Sequence, residues 1–145
     1  MRRAGRSAAT ILDRLCSFIR PGMSTLEVDE SGGDLMKDLG VKSACKGYRS
    51  GHRIFPSYTC LSVNDEVVHG IGVKERILKD GDVISVDVCI REDGMIGDNC
   101  RTIGVGAVSP EVERLLKVTE ESLFKGMAQA LHKNRVGDVS QAVQD

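Results

Sequence analysis

An α+β fold, with an antiparallel sheet covered on one face by helices, is what this sequence predicts, and three features predict it. The elements run helix, helix, strands, helix, without the strand–helix alternation of a parallel sheet. The first twenty residues carry apolar side chains at helical spacing. Residues 82–105 carry them at alternate positions on either side of an Asp-Gly pair.

Each element has its own signature. Ala4, Ala8, Ile11, Leu12, Leu15 and Ile19 form one face of a first helix, and Pro21-Gly22 ends it. This stretch, MRRAGRSAATILDRLCSFIR, is also basic and amphipathic, so an organelle transit peptide competes with the simpler reading of a packed helix. Ser24 and Glu27 in STLE make a capping box for a second helix. Leu26, Leu35, Met36 and Leu39 give that helix a core side, Gly40 stops it, and Gly32-Gly33 weakens its middle enough to allow a break. From Ser43 to Pro56 the pattern is lost, and GYRSGHRIFP reads as a loop carrying aromatics. Ser57 to Val63 reads as a strand, followed by the turn-rich NDEVVHGIG. Lys79-Asp80-Gly81 leads into a strand from Asp82 to Arg91, and a partner strand runs from Met95 to Val105. Ser109-Pro110-Glu111 starts a long helix with Pro at its first position. Its apolar face is Val112, Leu115, Leu116, Leu123, Met127 and Leu131. A last helix starts near Gly137-Asp138, and Asp145 falls inside it.

A chain of 145 residues suits one domain with a single core, residues 1–145. The net charge of -1 argues against a charge-driven nucleic-acid or membrane-surface partner, and no stretch is long and apolar enough to span a bilayer. Five cysteines is an odd number, and no signal peptide precedes them, which fits a reduced, cytoplasmic setting. None forms a CxxC pair, which disfavours a zinc knuckle.

The strand around Asp87 holds the strongest chemical signal. Aspartate is depleted in strands and costly to bury alone. With Asp93-Gly94 as a two-residue hairpin loop, Glu92 pairs with Met95, Cys89 with Asp98 and Asp87 with Cys100. Asp87 and Asp98 then share a face as diagonal neighbours, about 7–8 Å apart at Cα. Two carboxylates that close repel, unless a cation keeps both ionised. Hard oxygen donors suit Mg, Mn or Fe(II), and an added imidazole widens the range to Co or Zn. The competing reading is two solvent-facing aspartates on the open side of a hairpin. A three-residue loop would shift the register and send Asp98 to the other face.

His69 lies in a turn-rich setting behind a strand, where an imidazole near a metal can bond a substrate amide or stabilise developing charge. Taken alone, a single histidine is more often structural or exposed. His52, in the basic RSGHR, and His132, at a helix end, read as surface residues.

VNDEVVHGIG, LKDGDVISVDV and DGMIGDNCRT, in this order, resemble the first half of a type I methionine aminopeptidase. MRRAGR, RPGMSTLEVD and VSPEVERLLKVTEESL agree, so the resemblance covers Met1 to Asp145. It implies the pita-bread fold of the metallo-aminopeptidases, first half only, in which two similar halves face one metal site. It further implies two divalent metal ions (Co, Mn, Fe, Zn or Ni), with Asp87 chelating one and Asp98 bridging both. His69 would contact the scissile amide. Cys45, Tyr48, Phe55 and Cys60 match positions lining the pocket for the methionine side chain, where soft sulfur and aromatic rings suit a thioether. The reaction would be hydrolysis by a metal-bridged hydroxide, releasing methionine from the N-terminus of a nascent polypeptide, with the ribosome as a candidate place of action. Without the resemblance, the four pocket positions read as ordinary core residues.

Departures from the family qualify this picture. Its site is completed by a histidine and two glutamates from the second half, one of them the general base, and these have no counterpart here. The expectation is therefore a truncated half, inactive alone, completed by the missing half, a partner chain or a homodimer. The segment Tyr48–Phe55 is also longer than the family's usual loop. A non-catalytic module binding metal or peptide N-termini is the alternative, and intact Asp87, Asp98 and His69 argue against it. A proline-directed peptidase of the same fold is a third reading, disfavoured by VNDEVVHGIG.

Overall fold

The alternation at Ile84, Val86, Val88 and Ile90 becomes the centre of the molecule. The computed structural model describes residues 1–145 and divides them into two compact units, Met1–Val108 and Ser109–Asp145. In chain order the first unit holds α1 (Arg2–Phe18), α2 (Thr25–Asp38), β1 (Lys42–Ser43), β2 (Arg49–Ser50), β3 (Arg53–Ile54), β4 (Cys60–Val63), β5 (Val83–Glu92) and β6 (Met95–Gly104). The second holds α3 (Pro110–Ala128) and α4 (Val136–Gln144).

β6 runs antiparallel along one edge of β5, while β4 and β1 follow one another along the other. The β5–β6 register is the one the Asp-Gly turn implies: Glu92 faces Met95, Cys89 faces Asp98 and Asp87 faces Cys100. Asp93 and Gly94 both take positive φ, at 48° and 76°, which is what a two-residue turn matched to strand twist requires. α1 lies across β5 and β6 and buries Ala4, Ala8, Ile11, Leu12 and Leu15 against the even-numbered residues of β5. Ile84, Val86, Val88 and Ile90 are fully buried, each contributing up to about 1.5–3 kcal/mol by removal from water.

α2 carries the expected capping box, and of its expected core side Met36 is buried and Leu35 packs against the core. Its buried side is Thr25, Val28, Asp29, Gly32 and Met36, while Leu39 is exposed. Gly32-Gly33 does not break it. A Cβ on Gly33 would stand 2.7 Å from the Tyr58 ring, and one on Gly32 would stand 3.0 Å from Thr59, so these glycines let the helix approach the strand segment closely. Two further differences are local. Ser57–Thr59 precede β4 rather than belonging to it, and the segment read as a loop contains the two-stranded β2–β3 hairpin.

In the second unit Ser109 caps α3 by accepting from Val112 N–H, with Pro110 in the first turn. Gly126 of α3 packs against Val139 and Val143 of α4. α3 ends at Ala128, which leaves Leu131 outside it. Leu115, Leu123 and Met127 are exposed. No helix is long and apolar enough to cross a membrane.

Candidate metal centre

β5 positions the first carboxylate. Its odd-numbered residues point away from α1, so Asp87 stands half-exposed between Ser85 and Cys89. β6 brings Asp98 to the same face, diagonally across the ladder. The two carboxyl groups lie close enough to raise Asp87 to about 6, first through burial and then through the Asp98 charge, with His69 opposing. Asp87 Oδ1 is buried and has no hydrogen-bond partner. A buried acceptor without a donor is costly, and a cation beside it removes that cost. The donors are hard oxygens, which fit a divalent ion. No set of three or more His, Cys, Asp or Glu side chains closes around a point.

His69 reaches this face by a different route. The segment that follows it runs beside β4: Leu61 N–H donates to Gly70 O at 2.9 Å, and Gly70 N–H donates to Ser62 Oγ at 3.2 Å. A Cβ at Gly70 would lie 2.1 Å from Leu61 O, so only glycine permits this contact. Gly72 N–H donates to Ser57 Oγ at 3.2 Å and Val73 N–H to Thr25 Oγ1 at 3.0 Å, tying the segment to β4's approach and to α2. His69 itself is exposed, with φ 60°, and its charge acts on Asp87.

The four pocket candidates divide. Cys60 pairs with Asp87 in the ladder and is 5% exposed. Cys45 follows β1, where Ala44 N–H donates to Cys89 O at 2.9 Å. Because β1 and β4 share one edge of β5, Cys45 and Cys60 meet beside Asp87. The neighbouring Cys60 thiol, together with burial, pushes the Cys45 thiol above its ordinary range. The Cys45 thiol in turn lowers Cys60, against the effect of burial. Phe55 is half-buried, whereas Tyr48 is 65% exposed. The two are joined through the backbone, Phe55 N–H donating to Tyr48 O at 2.9 Å.

Two thiols on this face were missed by sequence reasoning. Cys89 faces Asp98 and Cys100 faces Asp87. Burial, then the neighbouring carboxylates, pushes each to about 11. The hairpin register that paired the aspartates already implied them. Asp29 was also missed and had no sequence signal. It is buried in α2 and accepts from Tyr58 N–H (3.1 Å), Thr59 N–H (2.8 Å) and Thr59 Oγ1 (2.8 Å), which holds the approach to β4. A concavity of about 980 Å³ lies along α2, Lys46 and Tyr58, and none of the seven candidate residues lines it.

This geometry has counterparts among known proteins. Residues 1–145 match metallopeptidase family M24. The chain belongs to that family. Among its M24 relatives are the methionine aminopeptidase of Clostridium acetobutylicum, 39% identical over 145 residues, and methionine aminopeptidase 1 of Bacillus subtilis, 42% identical over 144. The matches cover 100% and 99% of this chain and 56% of each relative, so the chain spans about half the length of the curated relatives it matches. A solved methionine aminopeptidase from Thermotoga maritima superposes with a TM-score of 0.90 at 37% identity, over 99% of this chain and 56% of that one. The fold is accordingly the pita-bread fold of M24. An X-Pro aminopeptidase from the same organism, with a TM-score of 0.66 and 18% identity over 85% of this chain and 32% of that one, shares the fold alone.

Proposed function

We propose that this chain supplies one half of a methionine aminopeptidase site, working in the cytoplasm on the N-termini of nascent polypeptides. In this reading residues 1–145 are the metal- and pocket-bearing half of the catalytic domain, and two divalent ions are held by Asp87 and Asp98. The observation that carries it is the orphaned Oδ1 of Asp87 on a face shared with Asp98. Cations bound there would supply Lewis acidity toward a peptide carbonyl.

The chain's own residues have separate tasks. Asp87 and Asp98 hold the positive charge at one point on a rigid hairpin. His69 bonds the scissile amide, oriented by the Gly70–Leu61 contact. Cys45 and Cys60, with Phe55 and Tyr48, receive the methionine thioether. Taking the proton from water falls to a base outside these residues, so the 145 residues alone release no methionine.

Calorimetric titration with Mn(II) tests the centre. The chain is expected to bind weakly, and Asp87→Asn to weaken binding by at least about 10–100-fold. Unchanged affinity in that variant removes Asp87 from the site. Robust release of methionine from a Met-Ala-Ser peptide by the 145 residues alone would show that a proton acceptor lies within them.

A further inference from the structure

The segment 42–54 is the most one-sided piece of the molecule. It contains Lys42, Lys46, Arg49 and Arg53, adds His52, and has no acidic residue, in a chain whose net charge is -1. All five side chains are exposed. None of the four cations takes part in an ion pair; Lys46 instead lies over the Tyr58 ring at 3.5 Å. Arg49 and Arg53 sit on the β2–β3 hairpin, where Arg49 pairs with Ile54 and Ser50 with Arg53. The ladder continues without a gap into two candidate pocket residues. Phe55 N–H donates to Tyr48 O and Gly47 N–H to Phe55 O, each at 2.9 Å. The uncompensated charge is therefore built onto the pocket rim, on a short ladder rather than on a free loop.

We infer that the β2–β3 hairpin selects substrates by charge, favouring peptides with acidic residues shortly after the cleaved bond. The inference rests on the pocket reading above and deepens it. From Tyr48 to the turn at Gly51 the strand extends about 10 Å, roughly the span of three residues of an extended peptide. A peptide whose first side chain is held at Tyr48, Phe55 and Cys45 has its next few residues within reach of Arg49 and Arg53. Guanidinium groups bond carboxylates in pairs, and exposed pairs act additively through a screened field. A nucleic-acid strand is the other polyanion to consider. The near-neutral chain lacks the broad basic surface that counterion release needs, and the cations are gathered at the candidate pocket.

The test uses the full-length protein as its gene encodes it, loaded with Mn(II), and three peptides: Met-Ala-Ser-Glu-Glu-Ser, its Gln-Gln form and its Lys-Lys form. The acidic peptide is expected to have kcat/KM about tenfold above the neutral one at about 50 mM salt, converging at about 500 mM. In R49Q/R53Q the acidic-to-neutral ratio falls to about one, and in R49E/R53E the Lys-Lys peptide becomes the preferred one. A folding defect lowers all three rates together and leaves the ratio intact. A wild-type ratio near one, or a ratio indifferent to both double substitutions, overturns the inference. So does a labelled RNA oligonucleotide that loses affinity in R49Q/R53Q while the peptides go undiscriminated. If no methionine peptide is cleaved, the catalytic reading fails, and anisotropy with the same labelled peptides still reports whether the hairpin prefers acids.

Discussion

On one face of β5, Ile84, Val86, Val88 and Ile90 are fully buried beneath α1. On the other, Ser85, Asp87 and Cys89 stand half-exposed beside Asp98 and Cys100. The same ten residues thus serve two solvents. The inner face is held by dispersion and water exclusion, which demand apolar shape and nothing else. The outer face gathers two carboxylates on diagonal positions and four thiols, and it holds an acceptor with no donor. The repulsion between the two carboxylates opposes folding. The contrast shows where stability ends and chemistry begins.

The largest effect should follow from putting charge on the inner face. Val86→Asp buries a carboxylate with no partner, a penalty of several kcal/mol that most of a domain's stability cannot absorb. Circular dichroism should find no cooperative unfolding at 25 °C, and a wild-type melting curve would show that this face is not dry. Ile90→Ala keeps the face apolar and leaves a cavity, with an expected loss of about 2–4 kcal/mol in urea unfolding at unchanged slope.

The outer face should answer in the opposite sense. In the metal-free chain Asp87→Asn loses no hydrogen bond at Oδ1 and relieves the repulsion with Asp98. Stability is expected to stay within about 0.5 kcal/mol or to rise. A loss of about 2 kcal/mol would mean that Asp87 supports the fold after all.

The smallest effect lies at the end of the inner face, where Glu92 accepts from Arg3 Nε at 2.6 Å and Ser7 Oγ at 2.8 Å. The Ser7 bond first, then the Arg3 bond, holds its carboxyl below the usual 4.5. A carboxyl lowered in the folded state stabilises above its unfolded value, and that share is lost as pH falls through the folded one. Melting temperature should therefore drop below about pH 4.5, and Glu92→Gln should flatten that part of the profile. An unchanged profile would make the Arg3–Glu92 contact idle.

Legibility followed sequence distance. The capping box at Ser24 and Glu27, Ser109-Pro110, and the Asp93-Gly94 turn are local, and each formed as read. The core side of α2 was legible in part: Met36 is buried and Leu35 packs against the core, but Leu39 is exposed, and the close contacts of Gly32 and Gly33 with Thr59 and Tyr58 depend on a segment more than twenty residues away. The β2–β3 hairpin escaped because two-residue strands leave no periodicity.

By itself the sequence determined the pairing of Asp87 with Cys100 and of Cys89 with Asp98, since a two-residue turn fixes register and register fixes the face. Only the tertiary structure decided that Cys45 meets Cys60 and that the His69 charge acts on Asp87. Those encounters require β1, β4 and the Gly70 segment to pack along one side of β5, and backbone contacts between distant residues leave no period in the chain that forms them.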